Sequence, residues 1–193
     1  MDTSETGLEK IIVDWLRDKN GYEQVTPHDY NKTFALVESW VERFVTTTQS
    51  DKVKESMCFA SPSERLKFFT RLSGEIGKRG VVDVLRKGYK FNGSTFDLYY
   101  PLPSQLNQGA KAAYKQNIFG VIRQVRYSTQ NTNEIDFVVF INGLPLATFE
   151  LKNNYTGQTY ENAIKQYQTE RDPKELLLQK KRCAVHFAVD DQQ

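Results

Sequence analysis

The amino-acid sequence predicts an α/β fold, with a central mixed β-sheet that contains a β-hairpin and is flanked by helices, preceded by an N-terminal helical region. Three observations support this prediction. Apolar, β-favouring runs surround Asn142-Gly143, whereas residues 8 to 78 carry apolar side chains mostly at helical spacing. A helical segment, residues 159 to 170, separates the hairpin from a last apolar run at residues 183 to 189. A helical crossover of this kind favours parallel pairing of the last strand.

The hairpin is the clearest local signal. Two β-favouring runs, Ile135 to Ile141 and Leu146 to Leu151, flank Asn142-Gly143, and both of these turn residues tolerate positive φ. Three charged residues lie in this otherwise apolar sequence: Asp136, Glu150 and Lys152. Because burying a charge costs several kcal/mol without a partner, we expect an ion pair or a metal ion here.

The strand register decides whether these three side chains meet. Glu150 and Lys152 share one face, since alternate residues of a strand do. A two-residue loop at Asn142-Gly143 would place Asp136 and Glu150 on opposite faces. We therefore expect a three-residue loop, Asn142-Gly143-Leu144, or an equivalent β-bulge, which pairs residue 136 with residue 150.

Two neighbouring carboxylates beside an ammonium group are typical of metal-dependent chemistry. Like charges this close repel each other unless a divalent cation lies between them. Oxygen ligands without Cys or His suit Mg²⁺ or Mn²⁺, so Asp136 and Glu150 are candidate metal ligands. Such a site favours phosphodiester hydrolysis, with Lys152 orienting the attacking water or stabilising the developing negative charge. The alternative is a surface hairpin with an ordinary Glu/Lys pair, because this spacing is common by itself.

The sequence around these residues resembles a known family. Asp136, Glu150 and Lys152 match the pattern of the metal-dependent PD-(D/E)xK nucleases. Longer segments are similar to the N-terminal nuclease domain of the R subunit of type I restriction endonucleases. These segments are IFGVIRQVRYS (residues 118–128), EIDFVVFINGLPLATFELKN (134–153) and NAIKQYQ (162–168). The similarity is weak at the start of the chain and strong from about Phe96 onward.

The resemblance implies a restriction-endonuclease-like core and a Mg²⁺- or Mn²⁺-dependent endonuclease that cuts double-stranded DNA, with the three charged residues as its catalytic group. It implies the methyltransferase and specificity subunits of a type I restriction-modification complex as partners. The sequence contains no G-x-x-x-x-G-K-[ST] phosphate loop. We therefore expect residues 1–193 to be a single nuclease domain of a longer subunit, with ATP bound only by motor domains outside this chain.

A helix after the lysine strand often carries Gln-x-x-x-Tyr in this family. Gln166 occupies the glutamine position, which implies a substrate-positioning role. The fourth residue after it is Glu170 rather than tyrosine, and Tyr167 would point to a different side of the helix. The tyrosine role is therefore left unassigned.

Three helices are expected in the first half of the chain. The first follows a capping-box pattern at Thr6 to Glu9 and stops at Asn20-Gly21. The second spans about residues 33 to 47 and is followed by a polar break, residues 46 to 54. The third has Ser61 as its N-cap and runs to about residue 78. Related nucleases sometimes place a glutamate of the first helix near the metal, which makes Glu5 and Glu9 candidates, although we favour a capping role for Glu9.

Basic residues near the expected sheet are further candidates. The strand expected at residues 118 to 128 carries Arg123 and Arg126 on opposite faces, so one of them could face the cleft. The densest basic cluster, which we interpret as a solvated surface rather than a phosphate-binding patch, comprises Lys78, Arg79, Arg86, Lys87 and Lys90.

Composition limits the function classes. With 39% hydrophobic residues and a net charge of +2, the 193-residue chain is typical of a folded domain and neither requires nor excludes nucleic acid. No apolar run approaches the roughly 20 residues of a membrane span, so we expect a cytoplasmic protein without membrane contact. Two alternatives to the restriction endonuclease remain open at this point. One is a non-catalytic DNA-binding or docking module, and the other is the nuclease domain of a stand-alone or phage-defence protein.

Overall fold

A mixed, five-stranded β-sheet forms the centre of the protein. The computed structural model describes residues 4–104, 107–153 and 157–191. In chain order the strands are β1 (Glu23–Gln24), β2 (Tyr89–Phe91), β3 (Ser94–Phe96), β4 (Phe119–Arg126), β5 (Glu134–Ile141), β6 (Leu144–Leu151) and β7 (Val185–Val189). The sheet has the order β1-β4-β5-β6-β7, and β2 pairs with β3 in a separate hairpin. The two outer pairs are parallel and the inner pairs antiparallel, which confirms the predicted fold class and the parallel last strand.

Helices cover both faces of the sheet. They are α1 (Glu5–Asn20), α2 (Glu38–Thr48), α3 (Ser50–Ser56), α4 (Pro62–Arg79), α5 (Val81–Lys87), α6 (Gln108–Tyr114) and α7 (Tyr160–Thr169). Short 3-10 helices lie at Pro27–Asp29 and Leu176–Leu178. Within the described part of the chain, no helix is both long enough and apolar enough to cross a membrane.

The helix predictions are partly confirmed. Helix α4 begins after Ser61, whose side chain accepts a hydrogen bond from the Glu64 backbone N–H at 3.2 Å, as the start signal predicts. The capping box predicted for α1 is wrong, because Ser4 is the N-cap and accepts from the Gly7 N–H at 3.1 Å. Glu9 therefore lies inside the helix and has no capping role.

The second helix starts later than predicted. A bridge between Asn31 and Leu36, with Ala35 at φ 51°, closes a turn where the sequence suggests helix. The tertiary turn overrides the apolar spacing, so α2 begins at Glu38. The polar break predicted at residues 46 to 54 is also wrong, since most of α3 falls within it.

The central hairpin reaches the predicted register by the bulge rather than by the longer loop. Its turn has only two residues, Asn142 at φ 50° and Gly143 at φ 85°, so the three-residue loop is wrong. A bulge between Val139 and Phe140 then shifts the pairing, so that Phe137 lies opposite Phe149. Continued by one residue beyond this last pair, the same register would place residue 136 opposite residue 150, which is the expected parity.

Two apolar cores hold the sheet in place. The larger one includes the buried faces of α2 and α4, and the Trp40 ring lies so close to Gly120 that a Cβ there would be 2.2 Å from it. The smaller core lies under α1 and comprises Val13, Val121, Phe137, Val139 and Leu151. Helix α1 is thereby packed beside the strand ends that carry the charged residues.

Candidate active site

The predicted charged residues lie where β5 begins and β6 ends. Asp136 is on β5, Glu150 is on β6, and Lys152 follows the last residue of β6. The Asp136 Oδ2 atom accepts a hydrogen bond of 2.6 Å from the backbone N–H of Leu151. This bond ties the Asp136 carboxylate to the residue directly after Glu150, so the structure brings the two acids together.

Glu150 is almost completely enclosed. Its side chain is 1% exposed, and its Oε1 atom accepts a hydrogen bond of 2.7 Å from Arg171 Nε. Its Oε2 atom is buried and has no hydrogen-bond partner within the described residues. A buried oxygen without a partner is costly, on the order of 1–3 kcal/mol or more for a charged group, which makes this atom a buried, unsatisfied position of the site.

Burial dominates the protonation of both carboxyl groups. It raises the pKa of Asp136 to about 6, opposed by the Leu151 N–H and by Lys152. Burial also raises the pKa of Glu150 to about 7, opposed by the hydrogen bond from Arg171, while the nearby Asp136 charge raises it further. The two acids therefore resist being ionised together, and a positive charge between them would relieve this repulsion.

Lys152 extends toward α1. Its Nζ atom is 3.6 Å from Glu5 Oε2, and its side chain is only 13% exposed. Its charge lowers the pKa of both Asp136 and Glu150, while its ion-pair partner among the described residues is Glu5. The triad of Asp136, Glu150 and Lys152 therefore lies at one end of the hairpin, with Glu5 on its border.

Glu9 and Arg123 form a further ion pair beside the triad. Arg123 donates from Nε to Glu9 Oε1 at 2.8 Å and from Nη2 to Oε2 at 3.0 Å. The Glu9 side chain is 5% exposed, and its negative charge contributes to the raised pKa of Asp136. Helix α1 thus brings acidic groups to the site, but both Glu9 oxygens are occupied by Arg123.

Arg126 does not join the site. The alternation of β4 is disturbed at Gln124, which has φ 50°, and Arg126 pairs with Glu134 at 2.7 Å with a side chain that is 67% exposed. Of the two arginines that the sequence left open, Arg123 is the one that borders the triad, through Glu9.

The contacts of helix α7 with the site differ from the prediction that Gln166 faces the triad. No hydrogen bond within the described residues joins the Gln166 side chain to the triad, although its backbone carbonyl accepts from the N–H groups of Glu170 and Arg171. The hydroxyl of Tyr167 is instead 2.7 Å from Thr148 Oγ1 of β6. Arg171 is the residue that the sequence reasoning missed. No spacing rule links it to Glu150, which lies 21 positions earlier.

Three residues of the basic cluster, Lys78, Arg79 and Lys87, form ion pairs with the neighbouring acidic residues Glu75 and Asp83. Arg79 Nε and Lys87 Nζ lie 2.7 Å and 2.6 Å from the two oxygens of Asp83. These i,i+4 pairs on α4 and α5 favour the interpretation as a solvated surface.

The carboxylates of Asp136 and Glu150 are oxygen ligands of the kind that a hard divalent cation takes. No group of three or more His, Cys, Asp or Glu side chains suitable for a metal occurs among the described residues. Magnesium does not need such a group, since it commonly binds through one or two carboxylates and completes its shell with waters and phosphate oxygens. The unpartnered Glu150 Oε2 beside Asp136 is a position that such a cation would satisfy.

A comparison with protein families assigns the chain. The family model described as type I restriction enzyme R protein N terminus matches residues 2–189. The chain belongs to this family. The match covers nearly all of the sequence and every candidate site residue of this R protein N terminus, which confirms the resemblance of its central segments. A search of the curated proteins found no match.

Proposed function

We propose that this R protein N terminus is a metal-dependent endonuclease domain that hydrolyses phosphodiester bonds of double-stranded DNA. The observation that carries the proposal is the buried, unpartnered Oε2 of Glu150 next to Asp136, in a chain of a restriction-enzyme family. A carboxylate oxygen kept from water without a donor is suited to a cation that arrives with the substrate.

Each residue of the triad has a distinct role in this proposal. Asp136 and Glu150 would hold Mg²⁺ or Mn²⁺, which supplies Lewis-acid activation of a water and of the scissile phosphate. The Leu151 N–H orients the Asp136 carboxylate. Lys152, whose charge lowers the pKa of Asp136, would orient the attacking water and stabilise the negative charge that develops on the phosphate.

Gln166 keeps a substrate-positioning role as part of this proposal. Its side chain is half-buried on α7, and Arg171 follows two residues after the last residue of this helix. An amide at this position could donate to a DNA phosphate without contacting the metal ligands. Arg123 and Glu9 act indirectly in this proposal, because their ion pair holds α1 against β4.

Membership of the family supports a wider proposal. We infer that the domain acts on DNA in the cytoplasm, together with the methyltransferase and specificity subunits of a type I restriction-modification complex. ATP would be used by motor domains elsewhere in the R subunit, where translocation is coupled to cleavage.

The proposal is tested by Lys152→Ala in the complete R subunit, assembled with its partner subunits. We expect plasmid cleavage to be lost while DNA binding and thermal stability stay close to wild type, because Lys152 acts on the reaction rather than on the fold. Lys10→Ala is the matched control, since it removes an exposed lysine of α1 that pairs with Asp14. If Lys152→Ala still linearises plasmid, the endonuclease assignment of this triad is wrong.

A second function is favoured by one observation. Arg171 already binds Glu150, which could mean that the site is a closed ion pair in a non-catalytic DNA-binding or docking module. Calorimetric titration with Mn²⁺ separates the two functions. Binding that disappears in Asp136→Ala supports the endonuclease, whereas no binding even with DNA present supports the module.

A further inference from the structure

We propose that Arg171 is a positioning residue that fixes the Glu150 carboxylate so that one oxygen is reserved for the metal ion. This inference rests on the proposed endonuclease function, because it names a residue that prepares the same site. It concerns the contact between the end of α7 and the end of β6.

The contact between Arg171 and Glu150 is made through a single carboxylate oxygen. Arg171 Nε is 2.7 Å from Glu150 Oε1, and the two side chains are 9% and 1% exposed. In the described part of the chain, Oε2 is buried without a hydrogen-bond partner. The guanidinium group therefore compensates the charge of Glu150 without occupying its second oxygen.

The same chain contains an ion pair built in the other way. Arg123 donates to both oxygens of Glu9, from Nε and from Nη2, so that neither oxygen is left over. A pair that served only to stabilise the fold would favour this two-point geometry, which is the stronger one. The one-point contact of Arg171 leaves Oε2 unsatisfied, and a ligand for that oxygen would remove this cost.

Arg171 is itself held in place from two sides. Its backbone N–H donates to the Gln166 carbonyl at 3.2 Å, which anchors it to the last turn of α7. Its guanidinium carbon lies 5.9 Å from the ring centroid of Tyr127, a buried residue that follows β4. The backbone bond fixes the main chain of Arg171 and the Tyr127 ring borders its guanidinium group, so the hydrogen bond to Oε1 sets the direction of Glu150 Oε2 before any cation binds. Partners that orient a metal-binding side chain in this manner typically change metal affinity by about 10- to 100-fold when they are removed.

The test is Mn²⁺ affinity of the 193-residue chain, measured by titration and by the electron paramagnetic resonance signal of free Mn²⁺. We expect Arg171→Gln to weaken Mn²⁺ binding by about 10- to 100-fold. In a Glu150→Gln background the same substitution should cause no further loss, because the carboxylate that Arg171 orients is gone. Arg65→Gln is the matched control, since Arg65 pairs with Glu38 and Glu42 far along the chain from the triad.

Two results would overturn the inference. Unchanged Mn²⁺ affinity in Arg171→Gln would show that the contact is only structural, and increased affinity would show that Arg171 competes with the cation for Glu150. If Arg171→Gln does not fold, Arg171→Lys is compared instead. This variant keeps the charge but lacks the planar guanidinium group, so we expect weaker Mn²⁺ binding than in wild type, and equal affinity would again overturn the inference.

If the proposed endonuclease function is wrong, the Mn²⁺ titrations should give a different pattern of results. A wild-type chain that binds no Mn²⁺, with or without DNA, would remove the endonuclease proposal and this inference with it. Wild-type binding that is lost in Asp136→Ala but kept in Arg171→Gln would remove only the role of Arg171.

Discussion

The buried carboxylate of Asp136 should make the metal-free protein less stable at neutral pH, and Asp136→Asn tests this. Burial raises the pKa of Asp136 from 3.8 to about 6, so the folded protein holds the proton more tightly than the unfolded chain does. The stabilising contribution of the protonated group is complete below about pH 4 and is lost as the pH rises to about 6. Above that pH, ionised Asp136 lowers the free energy of unfolding by a constant amount.

The size of the effect follows from the same shift. Raising a carboxyl pKa from 3.8 to about 6 corresponds to about 3 kcal/mol. The neutral amide of Asn keeps an oxygen for the Leu151 N–H and avoids the cost of burying a charge. At pH 8 and without divalent ions we therefore expect Asp136→Asn to be more stable by up to about 3 kcal/mol, or about 6–12 °C in Tm for a chain of this length.

The assay is thermal unfolding in a chelating buffer across pH 4 to pH 8. The stability gain of Asp136→Asn should vanish near pH 4 and reach its full size above about pH 6, the window set by the two pKa values. Asp51→Asn, a change of an exposed aspartate on α3, serves as control and should show no gain. Excess Mn²⁺ should stabilise the wild type and not the variant, because a ligand that binds only the folded state adds stability. A variant that is no more stable than wild type at pH 8, or equally stabilised at pH 4, would refute the reasoning.

Two further substitutions probe the surroundings of the site. Asn142→Ala should lower the free energy of unfolding by about 3 kcal/mol or more, because the buried side chain accepts from Ile118 N–H and donates to the Leu98 carbonyl. Urea unfolding measures this, and a loss below about 1 kcal/mol would contradict it. Glu9→Gln should lower the pKa of Asp136, because the Glu9 charge is one of the causes that raise it. An NMR titration of the Asp136 carboxyl carbon follows this pKa, and an unchanged or higher value would contradict the proximity of α1 to the site.

Several features of this protein could be predicted from short stretches of sequence. The start of α4 follows from Ser61-Pro62 and its end from Gly80, because capping groups and backbone restrictions act over a few residues. The position of the hairpin turn follows from Asn142-Gly143 for the same reason. The candidate residues Asp136, Glu150 and Lys152 are visible because charges are rare in apolar strands.

Other features depend on contacts between distant parts of the chain. From the sequence, a regular two-residue turn alone would place Asp136 and Glu150 on opposite faces of the hairpin. The sequence could not decide between a longer loop and a bulge, since either one places the two residues on the same face. The ion pair between Glu9 and Arg123 spans 114 positions, and no local pattern marks it. The start of α2 is likewise set by a bridge in the folded chain rather than by its own apolar spacing.

The contrast is clearest at Glu150. The sequence predicts that Glu150 lies in an apolar strand and that Asp136 is its neighbour. Both predictions rest on local properties, namely the alternation of side chains along a strand and the cost of a buried charge. That one of its oxygens is bound by Arg171 and the other is left without a partner was decided only by the packing of α7 against β6. Hydrogen bonds between side chains depend on where the helix ends in space, and that position is set by the whole core.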